Sequence, residues 1–163
     1  MLESSSKNND QMIIRDSQGR EYRLQVDAEE DSYFIAKLLY RNTEVGRLQS
    51  VLYPPDKLMI GDILIHSNVI HAPPHLGAAL LRLLVKPKPM DYRRRGLGTH
   101  LLQFAIKKAR QCGIKRIYGS LTQEDINNNP NLVKWYKKHG FEILPPSQEN
   151  IENAVFGISL DLR

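Results

Sequence analysis

Arg93-Arg94-Arg95-Gly96-Leu97-Gly98-Thr99 lies between an apolar run, Leu80-Leu81-Arg82-Leu83-Leu84-Val85, and a strongly patterned stretch from Leu97 to Cys112. That stretch puts Leu97, Leu101, Leu102, Ala105, Ala109 and Cys112 on one broad helical face, with His100, Gln103, Lys107, Arg110 and Gln111 opposite. Gly113 follows as a left-handed helix stop. The apolar run reads as a buried strand feeding the loop. Gly96 and Gly98, lacking Cβ atoms, let the backbone approach a ligand closely. The first amides of a helix have no intrahelical partner and carry the positive end of the helix dipole. Three arginines beside such amides suit a phosphorylated ligand.

The rest of the chain sets bounds on that site. Its 163 residues are enough for one domain with a real core. With 41% hydrophobic and 25% charged residues, the composition is that of an ordinary globular protein. Residues 1–10 are polar and lack the apolar segment of a secretory signal, so they read as a disordered lead-in to a single domain over 11–163. No apolar stretch approaches the roughly 20 residues that span a bilayer, and no membrane partner is expected. Cys112, the single cysteine, cannot close an internal disulfide, which fits a reducing cytoplasm. On the apolar helix face it reads as packing rather than as a nucleophile. A net charge of +5 favours anionic partners without choosing among nucleic acid, lipid and phosphorylated cofactors.

Upstream of the loop the pattern is that of strands. Met12–Arg15 and Glu21–Val26 flank Asp16-Ser17-Gln18-Gly19 as a hairpin. Ser32–Tyr40 and Val45–Tyr53 form a second one around Arg41-Asn42-Thr43-Glu44, although Asp31–Leu39 also fits a short helix. Lys57–His66 alternates as a strand, and Ser67–Gly77, with Pro73-Pro74, looks inserted. Downstream, Arg116–Leu121 reads as a strand. A helix opens at Asn129 and Pro130 and stops at Gly140, and Phe141–Leu144 and Ala154–Leu160 are the last strands.

Two familiar phosphate loops are excluded. A Rossmann turn needs a third glycine where this chain has Leu101, and no Gly-Lys-Ser/Thr occurs for a Walker A loop. The arrangement instead resembles the GNAT family of N-acetyltransferases, whose acetyl-CoA loop reads Gln/Arg-x-x-Gly-x-Gly/Ala. Arg93-Arg94-Arg95-Gly96-Leu97-Gly98 matches that loop, and Asn129, Trp135-Tyr136 and Gly140-Phe141 match the family's later helix at the family's spacing. The resemblance covers Leu80–Leu144 and implies an α/β fold: a mixed, mostly antiparallel sheet flanked by helices. Tyr33–Tyr53 would be its second and third strands. The two helices usual between the first two strands are reduced or missing, since only Asp27–Asp31 is available for them.

By that resemblance Arg94, Arg95, Gly96, Leu97, Gly98 and Thr99 would hold the pyrophosphate of acetyl-CoA, the co-substrate, with Arg93 adding charge. The main chain of Leu83, Leu84 and Val85 would pair with the pantetheine arm. Asn129 would touch the coenzyme, and Tyr136 would be both a coenzyme contact and the general acid that protonates the departing thiolate. Glu124 is the candidate base, with Asp125 beside it and His66 as a further candidate. His66, His71 and His75 have irregular spacing and no cysteine partner, so no metal is expected.

The reading that follows is a cytoplasmic enzyme moving an acetyl group from acetyl-CoA directly to an amine, with a homodimer through exposed strands compatible. Two other readings remain. One is a basic nucleic-acid module built on Lys86, Lys88 and Arg93–Arg95, disfavoured by the scarcity of interleaved aromatics. The other is a coenzyme-A-binding domain without turnover. The acceptor is not written in the sequence.

Overall fold

The computed structural model describes residues 12–29 and 32–163. Its centre is an eight-stranded sheet ordered β1-β2-β3-β4-β5-β6-β8-β7. The first five strands form an antiparallel meander: β1 (Met12–Arg15), β2 (Glu21–Glu29), β3 (Tyr33–Tyr40), β4 (Thr43–Tyr53) and β5 (Lys57–Ile65). β2 pairs antiparallel with β3, with Glu29 opposite Tyr33, so among the described residues no helix stands between these strands. The stretch that also fitted a helix is strand, with Phe34, Ala36 and Leu38 buried at the two-residue spacing of a one-sided sheet.

β5 and β6 (Arg116–Thr122) run parallel, which requires a crossover. The crossover carries α1 (Leu76–Leu81) and α2 (Leu97–Gln111). α2 packs on β4 and β5, burying Leu97, Leu101, Leu102, Ala105 and Ala109. The buried face therefore matches the sequence periodicity up to its last member. Cys112 is the exposed C-cap, because the helix ends before that residue turns inward. After β6 come α3 (Gln123–Asn128), α4 (Leu132–Lys138), β7 (Glu142–Leu144) and β8 (Ala154–Asp161), with β8 antiparallel to both β6 and β7.

Two local readings are corrected. Leu80–Val85 is not a strand: Leu80 and Leu81 end α1, and Leu83, Leu84 and Val85 form exposed turns that pair with no strand. An apolar run alone cannot separate a buried strand from another apolar segment. The strand that leads toward the loop is β5, which is also the one the crossover leaves. The helix expected from Asn129 is present as α4 but starts at Leu132, and a separate short helix, α3, precedes it. Thr122 caps α3 in a reciprocal box with Asp125, Asn129 closes α3, and Asn131 stands at the start of α4.

Candidate active site

β5 contains a bulge. Gln49 pairs with Asp62 and Ser50 with Ile60, which leaves Gly61 without a partner on β4. Such an extra residue bends its strand and increases the local twist. On its other edge β5 pairs with β6 only from Lys57 to Ile60, opposite Arg116 to Gly119. At the last pair the strands come very close: a Cβ on Gly119 would meet the Ile60 carbonyl oxygen at 3.1 Å. Beyond that point Gly61–Ile65 and Ser120–Thr122 are no longer partners, so the sheet opens into a cleft with unpaired main chain along one wall.

The arginine–glycine loop sits at the end of β5. The Tyr92 amide donates to the His66 carbonyl at 3.0 Å, so the chain returns from its excursion one residue past β5. Arg94 and Gly96 both adopt left-handed backbone, at φ 59° and 80°, the kind of turn that gathers successive N–H groups into an anion-binding concavity. Gly96 is the N-cap of α2 and no side chain caps the helix. The amides of Leu97, Gly98 and Thr99 therefore face outward at the positive end of a 15-residue helix. This is a good fit to a pyrophosphate.

The three arginines are not equivalent. Arg95 is held inward by Asp16: its Nη1 lies 3.7 Å from the Asp16 carboxylate and donates to Gln18 at 3.2 Å, and the guanidinium stacks 5.4 Å from the Tyr92 ring. Asp16, buried in the β1–β2 turn, also accepts from the Tyr22 hydroxyl at 2.7 Å and from the Gln18 and Arg20 amides, each at 2.9 Å. Burial alone would raise the Asp16 carboxyl, but these hydrogen bonds and Arg95 hold it below the ordinary value. The Ser17 amide donates to the Arg95 carbonyl at 3.1 Å, so the first hairpin braces the loop from behind. Arg93 pairs with Asp91 at the surface. Arg94 is exposed with no ion-pair partner among the described residues, which leaves it the most available of the three for an incoming phosphate.

Near the carboxyl ends of β5 and β6, Tyr136 and Asp62 each feel the charge of Asp125. Tyr136, on α4, is 5% exposed, and burial first, then the charges of Asp125 and Asp62, raise its phenol well above the ordinary value. Asp125 is fixed by the capping box, accepting from the Thr122 amide at 2.8 Å and its hydroxyl at 2.7 Å. Asp62 follows the bulge, on the part of β5 that pairs with β4 but not with β6. Partial desolvation raises its carboxyl; Arg47 lowers it and Asp125 raises it again, with a net upward shift. α4 is tied to the loop by Trp135, whose Nε1 donates to Thr99 Oγ1 at 3.1 Å. Phe141 packs on the Tyr136 ring, with centroids 5.3 Å apart.

Of the residues read from the sequence, the loop from Arg93 to Thr99 and Tyr136 are thus brought to one end of the parallel strands. Leu83, Leu84 and Val85 lie elsewhere, on the exposed excursion. Asn129 Oδ1 accepts from the Asn131 amide at 3.3 Å, linking α3 to α4. Glu124 is exposed on the first turn of α3. His66 pairs with Glu44, its Nε2 3.3 Å from Oε1. Asp62 was missed. Its one sequence signal is a carboxylate beside Gly61 inside an otherwise apolar strand, where glycine often marks a bulge.

A mixed sheet, a parallel pair that parts beyond Ile60 and Gly119, and an uncapped loop–helix junction together put free amides at the carboxyl end of β5. The sequence profile of the acetyltransferase (GNAT) family matches residues 7–141, and the chain belongs to that family. It is similar in fold to a GNAT family acetyltransferase from Elizabethkingia anophelis solved with acetyl-CoA bound: 17% identity over 80% of this chain and 77% of that one, TM-score 0.53. An acetyltransferase of the family from Staphylococcus aureus Mu50 matches at 14% identity over 80% and 69%, TM-score 0.56. The PaiA N-acetyltransferase from Thermoplasma acidophilum, solved with coenzyme A, matches at 12% over 80% of this chain but only 61% of its own, TM-score 0.53. No curated protein sequence matches the chain significantly.

Proposed function

We propose that the protein transfers an acetyl group from acetyl-CoA directly to a primary amine. The observation that carries this reading is the cleft where β5 leaves β6 beyond Ile60 and Gly119, beside the uncapped start of α2. An extended arm rich in amides can pair with the exposed main chain of Gly61–Ile65 as an added strand would. Its pyrophosphate then meets the amides from Arg94 to Thr99, with Arg94 contributing charge. Coenzyme A carrying an acetyl thioester supplies the activated carbonyl that the amine attacks and the sulfur that leaves.

This chain's own residues handle the protons. An alkylammonium must lose one before its lone pair is free, and a carboxylate with a raised pKa is a better base than an ordinary one. Asp62, itself exposed, meets that requirement from the part of β5 beyond the bulge, and we prefer it to Glu124 on the first turn of α3 because its carboxyl is raised. As the new C–N bond forms and the C–S bond breaks, Tyr136 donates its proton to the sulfur. Burial keeps that phenol protonated at neutral pH, so the acid is in the correct form when it is needed.

Binding and turnover are tested together. Acetyl-CoA at about 1 mM raises the melting temperature, as any ligand of the native state does. Thiol release from acetyl-CoA then depends on an added amine. Absence of a thermal shift refutes the donor assignment, while a shift without thiol release across alkylamines, amino acids and peptide amines supports a binding domain without turnover.

A further inference from the structure

The excursion between β5 and α2 ends in an apolar tip. Its stem is fastened: Val69 and Met90 exchange both backbone hydrogen bonds, at 3.0 and 2.8 Å, and Arg82 donates to the His71 carbonyl. Above this stem α1 and the following turns bury no residue. Leu76, Leu83 and Leu84 are 78%, 81% and 85% exposed, and Leu80, Leu81 and Val85 all exceed half exposure. Isolated surface leucines need no explanation, but six within ten residues on one protrusion do.

Charge selects the occupant. No Asp or Glu occurs between Asp62 and Asp91, whereas exposed Lys86 and Lys88 directly follow the leucines and Arg82 lies among them. A second copy in a two-fold contact would bring these cations against themselves. Residues 1–11 offer only Met1 and Leu2 as apolar cover. The leucines are also adjacent in sequence, on a short helix and turns, so they point to several sides. A flat protein face covers some of them; a fluid covers all.

We propose that this tip docks on an anionic lipid bilayer, with Leu80, Leu83 and Leu84 entering the acyl region and Lys86 and Lys88 at the headgroups. Contact of this kind needs no spanning segment, and among the described residues no helix is long and apolar enough to be one. The docking does not depend on acetyl transfer.

The test is co-sedimentation of the full chain with phosphatidylcholine vesicles, with and without about 30% phosphatidylglycerol, at about 0.1 M salt. The protein pellets with the anionic vesicles and largely stays in solution with neutral ones, and added salt weakens the association. Leu83→Glu with Leu84→Glu lowers the partition coefficient by at least roughly tenfold without lowering the melting temperature. Leu84→Trp shows a blue-shifted emission on anionic vesicles, a readout of insertion that reversing a distant charge would not give. Failure to associate with anionic vesicles overturns the proposal. So does unchanged binding by the double glutamate variant, a concentration-dependent dimer abolished by that variant in place of vesicle binding, or salt-sensitive capture of duplex DNA in place of vesicles.

Discussion

Gly98→Ala separates what the fold needs from what the ligand needs. Gly98 lies in the first turn of α2, and a Cβ built there meets only Trp135 Cζ2, at 3.9 Å. A methyl group therefore fits, and replacing glycine by alanine in a helix gains up to about 1 kcal/mol. For a chain of this length that is a rise of about 2–4 °C in melting temperature. The ligand-binding effect is small, because the family's loop carries either glycine or alanine at the position of Gly98. A pyrophosphate oxygen must come within about 2.9 Å of an amide nitrogen to bond it, and a loop that accepts alanine keeps that approach open. Losing one charge-assisted hydrogen bond of about 1.5–3 kcal/mol would weaken binding roughly 10- to 100-fold, so an affinity within about twofold of the native value shows the bond is kept. Calorimetric titration with acetyl-CoA and a thermal melt of the free protein measure the two effects. Greater stability with affinity lowered about tenfold or more would refute the match of Gly98 to the tolerant position of the acetyl-CoA loop. Gly96→Ala is the contrast: nothing lies within 4 Å of its Cβ, but φ is +80°, so the free protein loses about 1 kcal/mol through backbone strain.

Three further outcomes follow from the site. Tyr136→Phe keeps the ring against Phe141 and removes only the hydroxyl, so kcat falls by roughly 10²-fold while acetyl-CoA affinity stays within about twofold; equal losses in both would exclude the acid role. Activity falls as pH drops through the raised Asp62 pKa, because protonation removes the base; Asp62→Asn abolishes that limb, and if Glu124→Gln abolishes it instead, the assignment reverts to Glu124. Asp16→Asn destabilises the protein by about 1–3 kcal/mol by breaking the bonds that brace Arg95. Because the Asp16 pKa is depressed in the fold, its contribution is complete above the unfolded value near pH 4 and is lost as pH falls through the lower folded value; urea melts between about pH 6 and pH 2 should be flatter for the variant.

What could be read from the sequence was local. Alternation along Phe34, Ala36 and Leu38, the helical stripe from Leu97 to Ala109, and the Gly96–Gly98 signal each depend on neighbours in the chain, and each matches the structure. The misread parts depend on distant partners. Leu80–Val85 has the composition of a buried strand, but it pairs with no strand: Leu80 and Leu81 end α1 and the following residues turn at the surface. Asn129-Pro130 carries a helix-start signal, yet the capping box at Thr122 begins a separate helix first and uses Asn129 to end it. Asp62 was not singled out in the sequence; only the bulge at Gly61 and the end of β5–β6 pairing put its charge where it acts on Tyr136, together with that of Asp125. The inward orientation of Arg95 was equally hidden, since its partner Asp16 lies in the first hairpin.

The central claim is that the donor lies in the β5–β6 cleft with its phosphates on the loop before α2. Hydrogen–deuterium exchange with and without saturating acetyl-CoA tests this most directly. The account predicts slower exchange at the amides from Arg94 to Thr99 and along Gly61–Ile65, with the exposed tip at Leu83–Val85 unchanged. Protection at Leu83–Val85 with none along Gly61–Ile65, or no protection at the loop, would contradict it.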